Sequence, residues 1–205
     1  MSTPGIPPST FLPDLLAHNR ALGESFRQWR FLPGMLFGDL EQWWDFRPRP
    51  HPHEGLDLCS FIDHRGALHY LPEQTAIPAP LAGRVVHLAR DFLGISIYLR
   101  HEETGPRGRR LYTIFGHTAP LATLRPGLMV KAGEPLACLA GLRRRHNGLR
   151  PHLHLTLAWV PPDLPPQELT WETLGQNPAV TLIDPLTALA LLVEPSTPTP
   201  FPNRR

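Results

Sequence analysis

The segment Arg150-Pro151-His152-Leu153-His154-Leu155-Thr156-Leu157 alternates polar and apolar side chains. Alternation with a period of two marks a β-strand, in which residues i and i+2 share a face. The chain must therefore build a sheet with a row of leucines on one face and two imidazoles on the other. Two parallel imidazoles fill a core poorly. They suit a metal ion, provided that other parts of the chain bring further nitrogen or oxygen ligands.

Two more segments offer such partners. His53-Glu54-Gly55-Leu56-Asp57 runs into the apolar stretch 58–62, and a glycine between His53 and Asp57 lets the backbone turn so that both converge. Leu111-Tyr112-Thr113-Ile114-Phe115-Gly116-His117 is an apolar strand ending on another histidine. A hydrolytic zinc site uses three protein ligands and keeps one position open. His53, Asp57 and either His152 or His154 would complete it, and spacing leaves that last choice open.

In order, His-x-x-x-Asp, Tyr-Thr-x-x-x-His and Pro-His-Leu-His resemble the lysostaphin/LytM-type zinc metallopeptidases, which cut peptide bonds in bacterial peptidoglycan. Pro78-Ala79-Pro80-Leu81-Ala82-Gly83-Arg84-Val85-Val86, the segment 124–136 with its Gly127, Val130 and Gly133, and Ile183-Asp184-Pro185-Leu186 resemble further segments of the same family. The resemblance spans roughly residues 50 to 190, and the ordered set is far more specific than any single member. It implies one Zn2+ per chain on His53, Asp57 and His154, with His117 and His152 lining a cleft to take a proton from water and stabilise the tetrahedral oxyanion. It also implies a peptidoglycan peptide substrate, in the cross-bridge or stem peptide, and a place in the cell envelope or periplasm. The alternative within the same resemblance is an inactive domain that binds wall or activates a partner amidase. Two positions depart from the family pattern, Arg150 before Pro151 and Leu155-Thr156 after the last histidine, and both are expected to touch the cleft wall and not the ligands.

The rest of the chain is consistent with an all-β sandwich or barrel, and the resemblance implies that it is mainly antiparallel, a β-sandwich or barrel-sandwich hybrid with a cleft. Proline makes up 26 of 205 residues, which disfavours long helices. Short strands are expected at 58–62, 68–71, 85–89, 95–99, 111–115, 136–139 and 153–159, with hairpin turns at Asp63-His64-Arg65-Gly66 and at 91–94 and a loop over 102–110. Residues 1–10 are expected to be disordered, 11–49 to form a mostly helical arm, 50–193 the metallopeptidase domain and 194–205 a proline-rich tail. In the arm, Leu15, Leu22, Phe26 and Trp29 recur at helical spacing up to Pro33-Gly34. Its aromatics, Trp43 and Trp44 included, read as packing on the β domain in preference to walling the cleft.

Lys and Arg number 20 against 18 Asp and Glu, a balance that argues for neither nucleic acid nor membrane binding. The first residues lack the basic start and apolar run of a secretory signal, and no apolar run reaches membrane-spanning length. Cys59 and Cys138 read as small core residues, with a thiolate ligand at Cys59 as the alternative. His64, His69, His87, His101 and His146 read as surface histidines, and His51 as a neighbour outside the motif. The run Arg143-Arg144-Arg145 reads as solvated charge, or as a grip on a substrate carboxylate.

Overall fold

The computed structural model describes residues 5–142 and 149–191. Among them the chain is mostly antiparallel β-sheet with few helices. The strands are β1 (Phe26–Arg30), β2 (Leu56–Leu58), β3 (Ser60–Asp63), β4 (Leu68–Tyr70), β5 (Ala76–Pro78), β6 (Gly83–Arg90), β7 (Ile95–Thr104), β8 (Arg110–Pro120), β9 (Met129–Val130), β10 (Pro135–Leu139), β11 (Leu153–Val160) and β12 (Thr181–Ile183). The larger sheet runs β12-β11-β8-β7-β6-β9; β2 adds to β11, and β10 joins β8 to β5. A smaller sheet runs β1-β3-β4. The helices are α1 (Phe11–His18), α2 (Arg20–Ser25) and α3 (Pro185–Ala188).

Strand parity sorts the larger sheet into two faces. Leu153, Leu155, Leu157 and Trp159 of β11 join Leu111 and Phe115 of β8 and Ile97 and Leu99 of β7 in the main core. Each fully buried leucine there contributes about 1.5–3 kcal/mol. Tyr112, Ile114, Tyr98, Ala158 and Val160, one residue out of phase, face the other way and pack under Leu169 and Leu174. The cleft opens on this second face, the one that carries His152 and His154.

The arm departs from expectation. Its helix stops at Asn19, whose side chain donates to Leu15 O (2.8 Å) and Ala76 O (2.9 Å) and accepts from Ala76 N (2.8 Å). Asn19 thus acts as an edge partner for β5, the competition with helix that short amides are prone to. After α2 the chain becomes β1, paired antiparallel with β3. Phe26 and Trp29, three apart, are both buried because a register shift between Phe26 and Gln28 brings them to one side, with ring centroids 5.0 Å apart. An i, i+3 spacing that reads as helix is here a bulged strand.

Other expectations shift less. The loop expected at 102–110 is shorter, because β7 runs to Thr104 and β8 begins at Arg110. Residues 5–10 are laid on the domain and not disordered: Ile6 is buried and Ser9 Oγ donates to Pro80 O at 3.0 Å. Residues 1–4, the Arg143–145 run with His146, and the tail 194–205 lie outside the described residues.

Candidate metal centre

His154 sits at the middle of the cleft floor because β11 is flanked on both sides. β2 places Asp57 directly opposite it, and β8 places Gly116 opposite it on the other edge. His53, four residues before Asp57, reaches the same point. His154 Nδ1 lies 2.8 Å from Asp57 Oδ1 and 3.2 Å from His53 Nε2, and His53 Nε2 lies 3.5 Å from Asp57 Oδ1. All three residues are buried. They form a group that can hold a metal ion.

Gly55 works differently from expectation. A Cβ there would stand 2.6 Å from Leu155 O and 2.7 Å from His154 Nε2, so the residue is required by close approach, without a left-handed φ. The turn between His53 and Asp57 can lie against the His154 ring only because this position has no side chain.

His152 and His117 flank the group. The His117 ring is 4.7 Å from that of His152 and 6.1 Å from that of His154, centroid to centroid. His152 Nδ1–H donates to Arg150 O at 2.8 Å, and burial pushes its pKa down to about 4. His117 donates from Nδ1 to Asp91 Oδ1 at 3.1 Å. All five histidine and aspartate positions singled out from the sequence therefore meet at one cleft.

No protein-family model matches the chain, and no curated protein matches it. Solved structures do match. The catalytic domain of the antimicrobial peptidase lysostaphin from Staphylococcus simulans aligns over 77% of this chain and 90% of its own, at 17% identity and a TM-score of 0.47. Cbpa from L. salivarius REN aligns over 79% and 90%, at 19% identity and a TM-score of 0.48. A zinc containing peptidase from Vibrio cholerae aligns over 64% and 33%, at 19% identity and a TM-score of 0.42. Many of the structural neighbours are peptidases of the lysostaphin/LytM/M23 type.

The donor set fits a tetrahedral cation. Ligands held about 2.0–2.1 Å from a tetrahedral ion stand roughly 3.3–3.4 Å from one another, close to the separations observed. His53 Nδ1–H donates to Leu36 O at 2.9 Å, so in the neutral ring the Nε2 lone pair faces the group. His154 Nε2 lies 3.0 Å from Thr156 Oγ1; when it donates there, the Nδ1 lone pair faces the same point. Three electron-rich atoms then converge on one point, where either a cation or the proton that His154 Nδ1 otherwise shares with Asp57 Oδ1 at 2.8 Å offsets their repulsion. The ring partners supply the outer hydrogen bonds that metal-binding imidazoles require.

The arm also contributes to this site. Trp43 Nε1–H donates to Asp57 Oδ2 at 2.8 Å, and Arg49 stands 3.7 Å from the same oxygen. Met35 O accepts from Asp57 N at 2.9 Å. Trp43 also meets the His152 ring edge-on at 5.1 Å, and Trp44 lines the cleft. The aromatics expected only to pack therefore also build the site. Burial would raise the Asp57 carboxyl, but the charges of His53 and His152 and hydrogen bonds from His154 and His53 outweigh it and hold the group well below the usual carboxylate range. Burial pushes His53 down, and the Asp57 charge and hydrogen bond more than reverse this.

Several other expectations are corrected. Thr156, expected on the cleft wall, touches His154 itself. His87 lines the cleft against Tyr98, because a register shift between Val85 and His87 turns it to that face. His101 is fully buried on the core face, between Ala82 O (2.9 Å) and Thr113 Oγ1 (2.8 Å). Cys59 is buried as expected: its Sγ faces Pro151 O at 3.6 Å, and burial raises the thiol to about 12. Asp91, read from sequence only as a turn residue, is a site residue that sequence reasoning missed. Its turn-forming acidic side chain beside an exposed phenylalanine gave no sign of a histidine 26 positions away.

Proposed function

We propose that the protein is a zinc-dependent metalloendopeptidase that hydrolyses peptide bonds in bacterial peptidoglycan, in the cross-bridge or stem peptide. The observation that carries this reading is the convergence of His53, Asp57 and His154 at the floor of a cleft where two further imidazoles stand ready. One Zn2+ per chain, held by those three residues, would supply a Lewis acid that brings the pKa of water toward about 7. The chain's own groups do the rest. His117 and His152 each commit Nδ1–H to an oxygen of the protein, so each offers an unprotonated Nε2 to the cleft when neutral. Either can accept the proton of the attacking water. Once protonated, that ring becomes a donor to the tetrahedral oxyanion or to the leaving amine. Trp44, Phe92 and Trp171 give the cleft apolar walls, and Glu54, Arg90 and Glu172 give it charge at which a peptide can be oriented.

Such a substrate lies outside the cytoplasmic membrane, so the reading places the protein in the cell envelope. Among the described residues, no helix is long and apolar enough to cross a membrane. The test is elemental analysis of the purified protein followed by digestion of purified peptidoglycan, with and without chelator. One zinc per chain and chelator-sensitive release of new amino groups are expected. A zinc-loaded protein that binds wall and cuts nothing would replace this reading with that of a wall-binding or amidase-activating domain.

A further inference from the structure

His117 is on the wrong side of its strand by parity. Leu111, Thr113 and Phe115 of β8 point away from the cleft, and His117 continues their series. It reaches the cleft because of a bulge: β8 pairs Thr118 with Ile95 and Phe115 with Ile97, so Gly116 and His117 together oppose Ser96. Within that bulge His117 adopts φ +65°, a left-handed conformation that costs a residue with a Cβ of order 1–3 kcal/mol. Gly116 takes the place beside His154 that a side chain would obstruct, since a Cβ there would stand 3.2 Å from that of His154 and 3.1 Å from the Trp171 ring.

One carboxylate binds both the backbone and the ring of His117, whose carbonyl also accepts from Ala140 N at 3.0 Å. Asp91 Oδ2 accepts the backbone N–H of His117 at 2.9 Å, and Oδ1 accepts its ring Nδ1–H at 3.1 Å. Asp91 is itself locked in place. Leu93 N (2.9 Å) and Gly94 N (2.6 Å) donate to Oδ1, and Ser96 Oγ donates to Oδ2 at 2.8 Å. Trp171 Nε1–H donates to Ser96 Oγ at 3.1 Å, while its ring lies edge-on to His154 with centroids 4.6 Å apart. The residues that carry His117 are thus tied through Ser96 and Trp171 to the metal-binding group.

We propose that Asp91 is a positioning residue for His117: its carboxylate holds both the bulged backbone and the ring nitrogen, and so presents Nε2 to the cleft. The proposal rests on the reading of His117 as a proton acceptor. Asp91→Asn keeps the shape but leaves one acceptor where two are needed, and its amide faces a donor.

In the zinc-loaded protein, D91N is expected to lower kcat on a peptidoglycan peptide about 100-fold, with KM within about threefold and zinc content unchanged. In a His117→Ala background the same substitution is expected to cost nothing further, because residues acting as a unit are not additive. Nitrogen-15 NMR of the imidazoles supplies a readout independent of activity. His117 is expected as the Nδ1–H tautomer in the parent and as a mixture in D91N. Should D91N fail to fold, Ser96→Ala takes its place, with a smaller loss of kcat and the same direction of change in the His117 ring signals. Unchanged His117 signals in whichever variant folds, or D91N and H117A effects that simply add, overturn the proposal. A parent protein without peptidase activity sinks the functional reading instead, and the tautomer measurement still decides the role of Asp91.

Discussion

Asp57 and Asp91 are buried carboxylates that face histidines across one cleft, yet their surroundings differ in kind. Asp91 is saturated: backbone N–H groups, a serine hydroxyl and an imidazole N–H all donate to it. Asp57 is saturated on one oxygen, by Trp43, and on the other meets His53 and His154, whose outer nitrogens are engaged elsewhere. A carboxylate surrounded by donors is an anchor. A carboxylate whose remaining oxygen converges with two imidazole nitrogens is part of a group that can hold a cation. The difference separates the part of this cleft that holds a shape from the group that can hold an ion.

The sharpest way to break the comparison is Asp57→Ala. It should abolish zinc binding, measured by elemental analysis, and take chelator-sensitive hydrolysis to background, whereas Asp91→Asn should keep its zinc. Next in size is Gly55→Ala. Its methyl group would meet a backbone carbonyl that cannot move aside, so we expect a loss of about 1–3 kcal/mol in denaturant unfolding together with weakened zinc binding. Trp43→Phe removes the outer hydrogen bond to Asp57 and trims the indole that meets the His152 ring. Competition with a chromogenic chelator should show zinc affinity down about 10–100-fold. Retention of full affinity would show that the arm merely packs.

The two carboxylates can also be compared through pH. The Asp91 carboxyl is held far below its ordinary value: burial opposes this, and the hydrogen bonds and charge of His117 with the bond from Ser96 prevail. A depressed carboxyl stabilises the fold above its unfolded value near 3.9 and loses that contribution as pH falls toward the folded value. Stability plotted against pH below about 4 should therefore be shallower in D91N than in the parent. The smallest effect is expected from Cys59→Ala: unchanged zinc stoichiometry, with about 1 kcal/mol lost to the cavity. Loss of zinc in that variant would make Cys59 a ligand.

Much of this site was legible in the primary structure because it depends on regular alternation. Leu153, Leu155 and Leu157 assign a buried face, and His152 and His154 follow on the opposite face by parity. The residues that escaped are those whose placement breaks alternation or crosses the chain. His87 and His117 are turned into the cleft by bulges, and Phe26 and Trp29 share a side through another. His117 was still found, through its motif, but the reason it can reach the cleft was not. A bulge is decided by which partner strand has one residue fewer, and that information is not local.

By itself the amino-acid sequence determined that the chain would be a β protein of short strands and that its histidines and aspartates would come in three ordered clusters. Periodicity and composition act within a few residues, so short-range patterns suffice for these. The tertiary structure alone decided that Leu36 and Trp43 of the arm would bond to His53 and Asp57, that Thr156 would hold His154, and that Asp91 would hold His117. Each of those is a directional hydrogen bond between distant segments, and its geometry exists only after the sheets have packed.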